Sequence, residues 1–133
     1  MLTLRRSASA LATALALAGA ALTGCGSDDE PAGPTATVPA DEPVVVIGTE
    51  YAFDPEDVVV EGAGPVEIEL ENRGALAHNL TVFEGDEEVG ATPTFQGGET
   101  DGATIDLEPG TYAMVCTVGN HAELGMVGEL EVR

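Results

Sequence analysis

Cys116, His121 and Met126 stand at even five-residue steps in the run Tyr112-Ala-Met-Val-Cys116-Thr-Val-Gly-Asn-His121-Ala-Glu-Leu-Gly-Met126. The chain has two histidines, and the other is His78, upstream in Ala77-His78-Asn79-Leu80. Two imidazoles, a thiolate and a thioether are the donors of a mononuclear electron-transfer copper site. Cys116 would be the strong donor, because the thiolate is the metal-binding form and a bound cation keeps it deprotonated. His78 and His121 would complete a trigonal plane through neutral nitrogens, with Met126 on the axis as a long, weak bond. Each residue alone has an ordinary use: a buried small hydrophobe, a strand-end histidine, a core methionine. Taken together they use every histidine in the protein, and that favours the metal. The amide of Asn79 is placed to tie the His78 strand to the cysteine loop and so orient the ligands; a turn asparagine is the alternative.

Strands must carry these side chains to one point. Period-2 geometry puts Tyr112, Met114 and Cys116 on one face and Ala113 and Val115 on the other. Cys116 thus leaves its strand pointing with the core, while Met114, about 7 Å back along the strand, is core filler. Upstream, Val44 to Ile47 is a short buried strand, and Tyr51-Ala52-Phe53 leads into the turn Asp54-Pro55-Glu56. Val58 to Val60 follows, and Val66 to Glu71 alternates strictly between apolar residues and carboxylates. Asn72-Arg73-Gly74 breaks that run. Further strands are expected over His78 to Phe83, Ala103 to Leu107, Thr111 to Cys116 and Met126 to Val132. Glu84 to Gly102, rich in Gly, Thr and acids, is expected as a long loop with at most one irregular strand. Short strands, Gly/Pro turns and no amphipathic helix predict a single all-β domain, an antiparallel sandwich over residues 44–133. About 90 residues suffice for independent folding.

The N-terminal part is not expected to belong to that domain. Arg5-Arg6, an Ala/Leu-rich stretch from Ala8 to Ala21 and then Leu22-Thr23-Gly24-Cys25 form a secretory signal over residues 1–24. The apolar stretch is shorter than the roughly 20 residues a spanning helix needs. The segment resembles the bacterial lipoprotein signal, which implies cleavage before Cys25 and a diacylglyceryl group, with added fatty acid such as palmitate, on that residue. Residues 25–43, acidic and Pro-rich without a hydrophobic period, form a linker. A lipidated Cys25 leaves Cys116 as a lone thiol in an oxidising compartment, where burial or a metal bond must protect it.

The chain has no lysine, and loss of Arg5 and Arg6 leaves two arginines against 24 acids, a net charge of −22. That excludes nucleic acid as a partner, since Lys and Arg supply phosphate affinity. It also excludes electrostatic adhesion to anionic lipid, so the acyl chains must hold the protein at the membrane.

Phe53-Asp54-Pro55, the Asn72 break, His78-Asn79, Pro109-Gly110-Thr111-Tyr112 and Cys116…His121…Met126 occur together in an order that resembles the cupredoxins, the blue copper proteins. The Cys-x4-His-x4-Met spacing is closer to rusticyanin-like members than to plastocyanin-like ones. Gly119-Asn120 departs from the Pro-Gly that many relatives carry before the histidine. The resemblance covers residues 44–133 and implies a Greek-key β-sandwich with one type 1 copper at one end. It further implies electron passage through the exposed edge of His121, with Val118, Gly119, Ala122, Leu124 and Gly125 as a close-docking patch. The function expected is a monomeric one-electron carrier, not an enzyme, held by Cys25 at the outer face of the bacterial cytoplasmic membrane. The acidic surface would steer a redox partner with a cationic docking surface. Copper storage or delivery through the same ligands is the alternative.

Overall fold

The structure is a computed structural model that describes residues 33–133. The expected signal peptide and the lipidated Cys25 lie outside the described residues. Ten strands run in chain order: β1 (Thr35–Pro39), β2 (Val44–Thr49), β3 (Ala52–Asp54), β4 (Asp57–Glu61), β5 (Gly64–Asn72), β6 (Thr81–Glu84), β7 (Glu87–Ala91), β8 (Thr100–Leu107), β9 (Gly110–Val115) and β10 (Val127–Val132). They form a six-stranded sheet, β1-β4-β10-β9-β6-β7, and a four-stranded sheet, β3-β2-β5-β8. The two sheets form a single-domain β-sandwich, with no helix among the described residues.

Alternation in the sequence becomes the sandwich core. β5 buries Val66, Ile68, Leu70 and Asn72 and turns its carboxylates outward, and β9 buries Tyr112 and Met114 on the same face as Cys116. Val44, Val46, Ile105 and Leu107 from the smaller sheet meet Val58, Val60, Val82, Leu130 and Val132 from the larger. Burying one such side chain contributes about 1.5–3 kcal/mol, so the sheets need no further glue. The Tyr112 hydroxyl donates to the carbonyl of Glu108 at 2.8 Å, which satisfies the one polar atom this ring carries inward.

The sheets are mixed rather than antiparallel. β1 with β4, β4 with β10, and β2 with β5 are parallel pairs, because long connections return the chain in the same direction to each of these places. β2 is not a fully buried strand: Val44, Val46 and Gly48 face the core, and Val45 is 39% exposed on the outer face. Thr35–Pro39, expected as linker, is an edge strand whose Val38 packs on the core. Its apolar content is too low to announce a strand, and the open backbone edge of β4 supplies the pairing; a proline is tolerated at such an edge. The expected loop 84–102 contains β7 and the start of β8. At Gly128 the chain passes so close to Glu56 that a Cβ would lie 2.0 Å from its carbonyl oxygen. That same oxygen accepts from the Glu129 amide at 3.2 Å, so the approach is part of how β10 is seated.

Candidate metal centre

Cys116 follows β9 directly, at the end of the sandwich where β9 and β10 are joined by the loop 116–126. The loop is closed by its own backbone: the Cys116 amide donates to Met126 carbonyl at 3.1 Å, and the Met126 amide to His121 carbonyl at 3.0 Å. Between them, His121 donates to Val118, Leu124 to Asn120 and Gly125 to Ala122, winding the segment into tight turns. Gly119 sits at φ 51°, a left-handed conformation that glycine adopts without steric cost.

His78 reaches the site on a separate segment. It exchanges two backbone hydrogen bonds with Phe95, both 3.1 Å. Two residues on, Leu80 and Thr92 are tied by the Thr92 amide to Leu80 carbonyl (2.9 Å) and the Leu80 amide to Thr92 Oγ1 (3.0 Å). Asn72, buried at the end of β5, shapes the loop just before it: its Nδ2 donates to the carbonyls of Leu76 (2.9 Å) and Phe95 (3.3 Å), and its Oδ1 accepts from the Gly74 amide (3.1 Å). The sequence marked Asn72 only as a strand break, yet its side chain holds the approach to His78.

Three donors converge. Nδ1 of His78 lies 3.2 Å from Nδ1 of His121, and Cys116 Sγ lies 3.9 Å and 3.6 Å from these two nitrogens. A trigonal first-row ion with bonds of about 2.0 Å to nitrogen and 2.3 Å to sulfur separates its donors by about 3.5–3.7 Å. The observed edges lie within about 0.3 Å of these values, so the triangle is the right size for one ion. All three residues are buried, as is Met126, which is tied through its main chain to both Cys116 and His121. Burial, then the neighbouring His121, pushes His78 below its ordinary pKa and so toward the neutral form a ligand requires. Cys116 is a free thiol, fully buried. Met114 is also fully buried, with its methyl directed toward Gly128 in β10, the core position its spacing indicates.

Asn79 links the two segments. Its Nδ2 donates to Thr117 Oγ1 at 2.8 Å, and its Oδ1 accepts from the Thr117 amide at 2.8 Å. One side chain thus joins the residue after His78 to the residue after Cys116. Two contacts had no signal in the sequence. Tyr51, in the turn between β2 and β3, sets its ring edge-on to His121 at 5.2 Å between centroids and 72° between planes. Beside it, Glu50 Oε1 accepts from the amides of Ala75 and Leu76 in the loop before His78. Tyr51 has φ 64°, a conformation that costs a non-glycine residue about 1–3 kcal/mol.

His121 is 8% exposed, against zero for His78, Cys116 and Met126. Around it Val118 and Ala122 are half-buried and Gly119, Leu124 and Gly125 are exposed; Leu124 is 50% exposed and Leu76, in the loop before His78, 41%. Among the described residues no helix is long and apolar enough to cross a membrane.

Comparison with known proteins agrees with this geometry. Residues 42–133 match the family described as copper binding proteins, plastocyanin/azurin family. A search by sequence among curated proteins gave no significant match. Among solved structures, dithionite-reduced auracyanin from the photosynthetic bacterium Roseiflexus castenholzii is 20% identical, with TM-score 0.63, covering 76% of this chain and 99% of that one. Auracyanin B is 21% identical, with TM-score 0.63, covering 75% of this chain and 90% of that one. Auracyanin A, a blue copper protein from the green thermophilic photosynthetic bacterium Chloroflexus aurantiacus, is 26% identical, with TM-score 0.59 and coverage of 69% and 100%.

Proposed function

The chain belongs to the plastocyanin/azurin family of copper-binding proteins, and from that premise we propose that it is a one-electron carrier whose type 1 copper is held by His78, Cys116, His121 and Met126. Copper bound there supplies a couple between the +2 and +1 states. The protein's part is to present sulfur and two imidazoles in a triangle that changes little between those states. Backbone pairing of His78 with Phe95, the Asn79–Thr117 link and the closed 116–126 loop fix that triangle from separate directions. Asn79 thus orients ligands rather than merely turning the chain.

The observation that carries the reading is the exposure pattern. Of the four ligands only His121 reaches the surface, and it does so inside an apolar rim of Val118, Ala122 and Leu124, with Leu76 at the same end. A partner can approach that rim closely and exclude water, while the remaining donors stay sealed. Delivery of copper to another protein would need donors that an acceptor can reach, and the three buried ligands are poorly placed for that. Both histidines are engaged in this one site, so the protein is not expected to be an enzyme by itself.

The acidic surface is expected to steer a redox partner with a cationic docking face, so the bimolecular rate falls as ionic strength rises. The protein acts as a monomer, lipid-anchored through Cys25 at the outer face of the bacterial cytoplasmic membrane. With Thr35–Pro39 docked on β4, residues 26–34 separate the anchor from the domain, and they span at most about 30 Å.

The test is a visible spectrum after addition of one equivalent of Cu(II). An intense thiolate-to-copper band, absent from Cys116→Ser, supports the carrier, together with a reversible midpoint potential. A colourless complex, or copper that passes readily to an acceptor protein, would favour delivery instead.

A further inference from the structure

The imidazole of His78 has two nitrogens, and the copper site uses Nδ1. Nε2 is buried and has no hydrogen-bond partner among the described residues. Across from it stands Glu50. A Cβ placed on Gly74 would lie 2.6 Å from Glu50 Oε1 and 3.2 Å from His78 Nε2. The two polar atoms therefore both border the bare α-carbon of Gly74 and lie no more than about 5.8 Å apart.

Glu50 is held in that position rather than merely passing near it. Its Oε1 accepts from the Ala75 and Leu76 amides, and its neighbour Tyr51, in the left-handed conformation, packs against His121. The Ala75 amide bond is the main reason its carboxyl is held below the usual glutamate range, so it is ionised at neutral pH. Among the described residues no cation pairs with it. The described residues contain two arginines: Arg73 is paired with Glu71 at 2.6 Å, and Arg133 with Glu131 at 2.8 Å.

Building on the copper reading above, we infer that Glu50 is a positioning residue for His78: a fixed negative charge set against its Nε2 across Gly74, which biases the site toward the oxidised ion. With Nδ1 committed to the metal, Nε2 carries the imidazole proton, on the side of the ring where the carboxylate stands. A negative charge on that side makes the imidazole a stronger donor and stabilises the higher positive charge of the oxidised centre. Gly74 is needed because any side chain there would push the carboxylate away.

The decisive measurement is the midpoint potential of the copper-loaded protein. Glu50→Gln keeps an oxygen for the two amides and removes the charge. Its potential should rise, equivalent to a loss of about threefold in preference for Cu(II) over Cu(I), the size expected for one partly screened charge at this range. Its visible band should stay in place. Gly74→Ala, which displaces the same carboxylate, should shift the potential in the same direction, and the double variant should shift no further than either alone. Glu108→Gln, at the far end of β9 from the site, is the control for loss of any one charge. An unchanged potential in Glu50→Gln, or a shift no larger than that of Glu108→Gln, overturns the inference while leaving a blue copper protein intact. Amide exchange at Ala75 and Leu76 in the apoprotein provides a readout that needs no metal: protection should persist in Glu50→Gln and be lost in Glu50→Ala. If these amides are equally protected in Glu50→Ala, Glu50 is not held there and the inference fails. A protein that takes up copper without colour would refute the carrier reading itself, a different outcome.

Discussion

Replacing Asn79 with alanine removes both hydrogen bonds that join the His78 segment to the cysteine loop, each 2.8 Å long. A neutral hydrogen bond contributes about 1 kcal/mol net, and leaving the Thr117 amide without its acceptor adds a desolvation cost. Asn79 is buried and Thr117 is exposed, so solvent recovers part of that cost on the threonine side. The expected loss is about 2–3 kcal/mol, which for a domain of this size lowers Tm by about 10–20 °C. Thermal unfolding of the apoprotein measures it without interference from metal binding. Thr117→Val deletes the hydroxyl and keeps the amide, so it should cost about 1 kcal/mol, and the double variant should cost little more than Asn79→Ala. A melting point for Asn79→Ala within about 3 °C of the parent, where a single lost kilocalorie already moves Tm further, would refute the reasoning. So would equal losses for Thr117→Val and Asn79→Ala.

The two buried methionines should separate cleanly. Met126→Leu should move the midpoint potential, because the axial ligand tunes it, whereas Met114→Leu should leave spectrum and potential unchanged, as electrochemistry of the two variants would reveal. Gly128→Ala places a methyl against the Glu56 carbonyl oxygen and should cost about 1–3 kcal/mol, as overpacking does, read by urea unfolding. The Arg133 hydrogen bond, then its charge, holds the Glu131 carboxyl below its ordinary value of 4.5. Its folded-state value is the lower one, so the stabilisation is complete above about pH 4.5 and vanishes as pH falls through the folded-state value. The Tm difference between parent and Glu131→Gln should therefore be constant above pH 5 and shrink below pH 4.5.

The donor set was legible because it is scarce. A protein with two histidines, one of them five residues after a cysteine and five before a methionine, leaves little freedom in how they are used. β5 was legible because period-2 alternation over Val66 to Glu71 allows one face to the core and no other register. β1 was not, because Thr35–Pro39 carries no apolar period and becomes a strand only where β4 offers unpaired backbone. The same holds for Thr92 to Phe95: its pairing with Leu80 and His78 involves backbone and one threonine hydroxyl, which leave no pattern in hydrophobicity.

Composition and spacing by themselves determined the metal's chemistry, the all-β class and the acidic surface, since these depend on which side chains exist and how they alternate. Tertiary structure decided the rest: the parallel pairings that make both sheets mixed, the seating of His78 against Phe95, the hub at Asn72, and the approach of Glu50 and Tyr51 to the two imidazoles. Those contacts lie between residues far apart in the chain and act through backbone amides, a single ring edge and one carboxylate among 24 acids. Nothing local distinguishes such groups from their many equivalents until the sheets close and bring them within reach of the site.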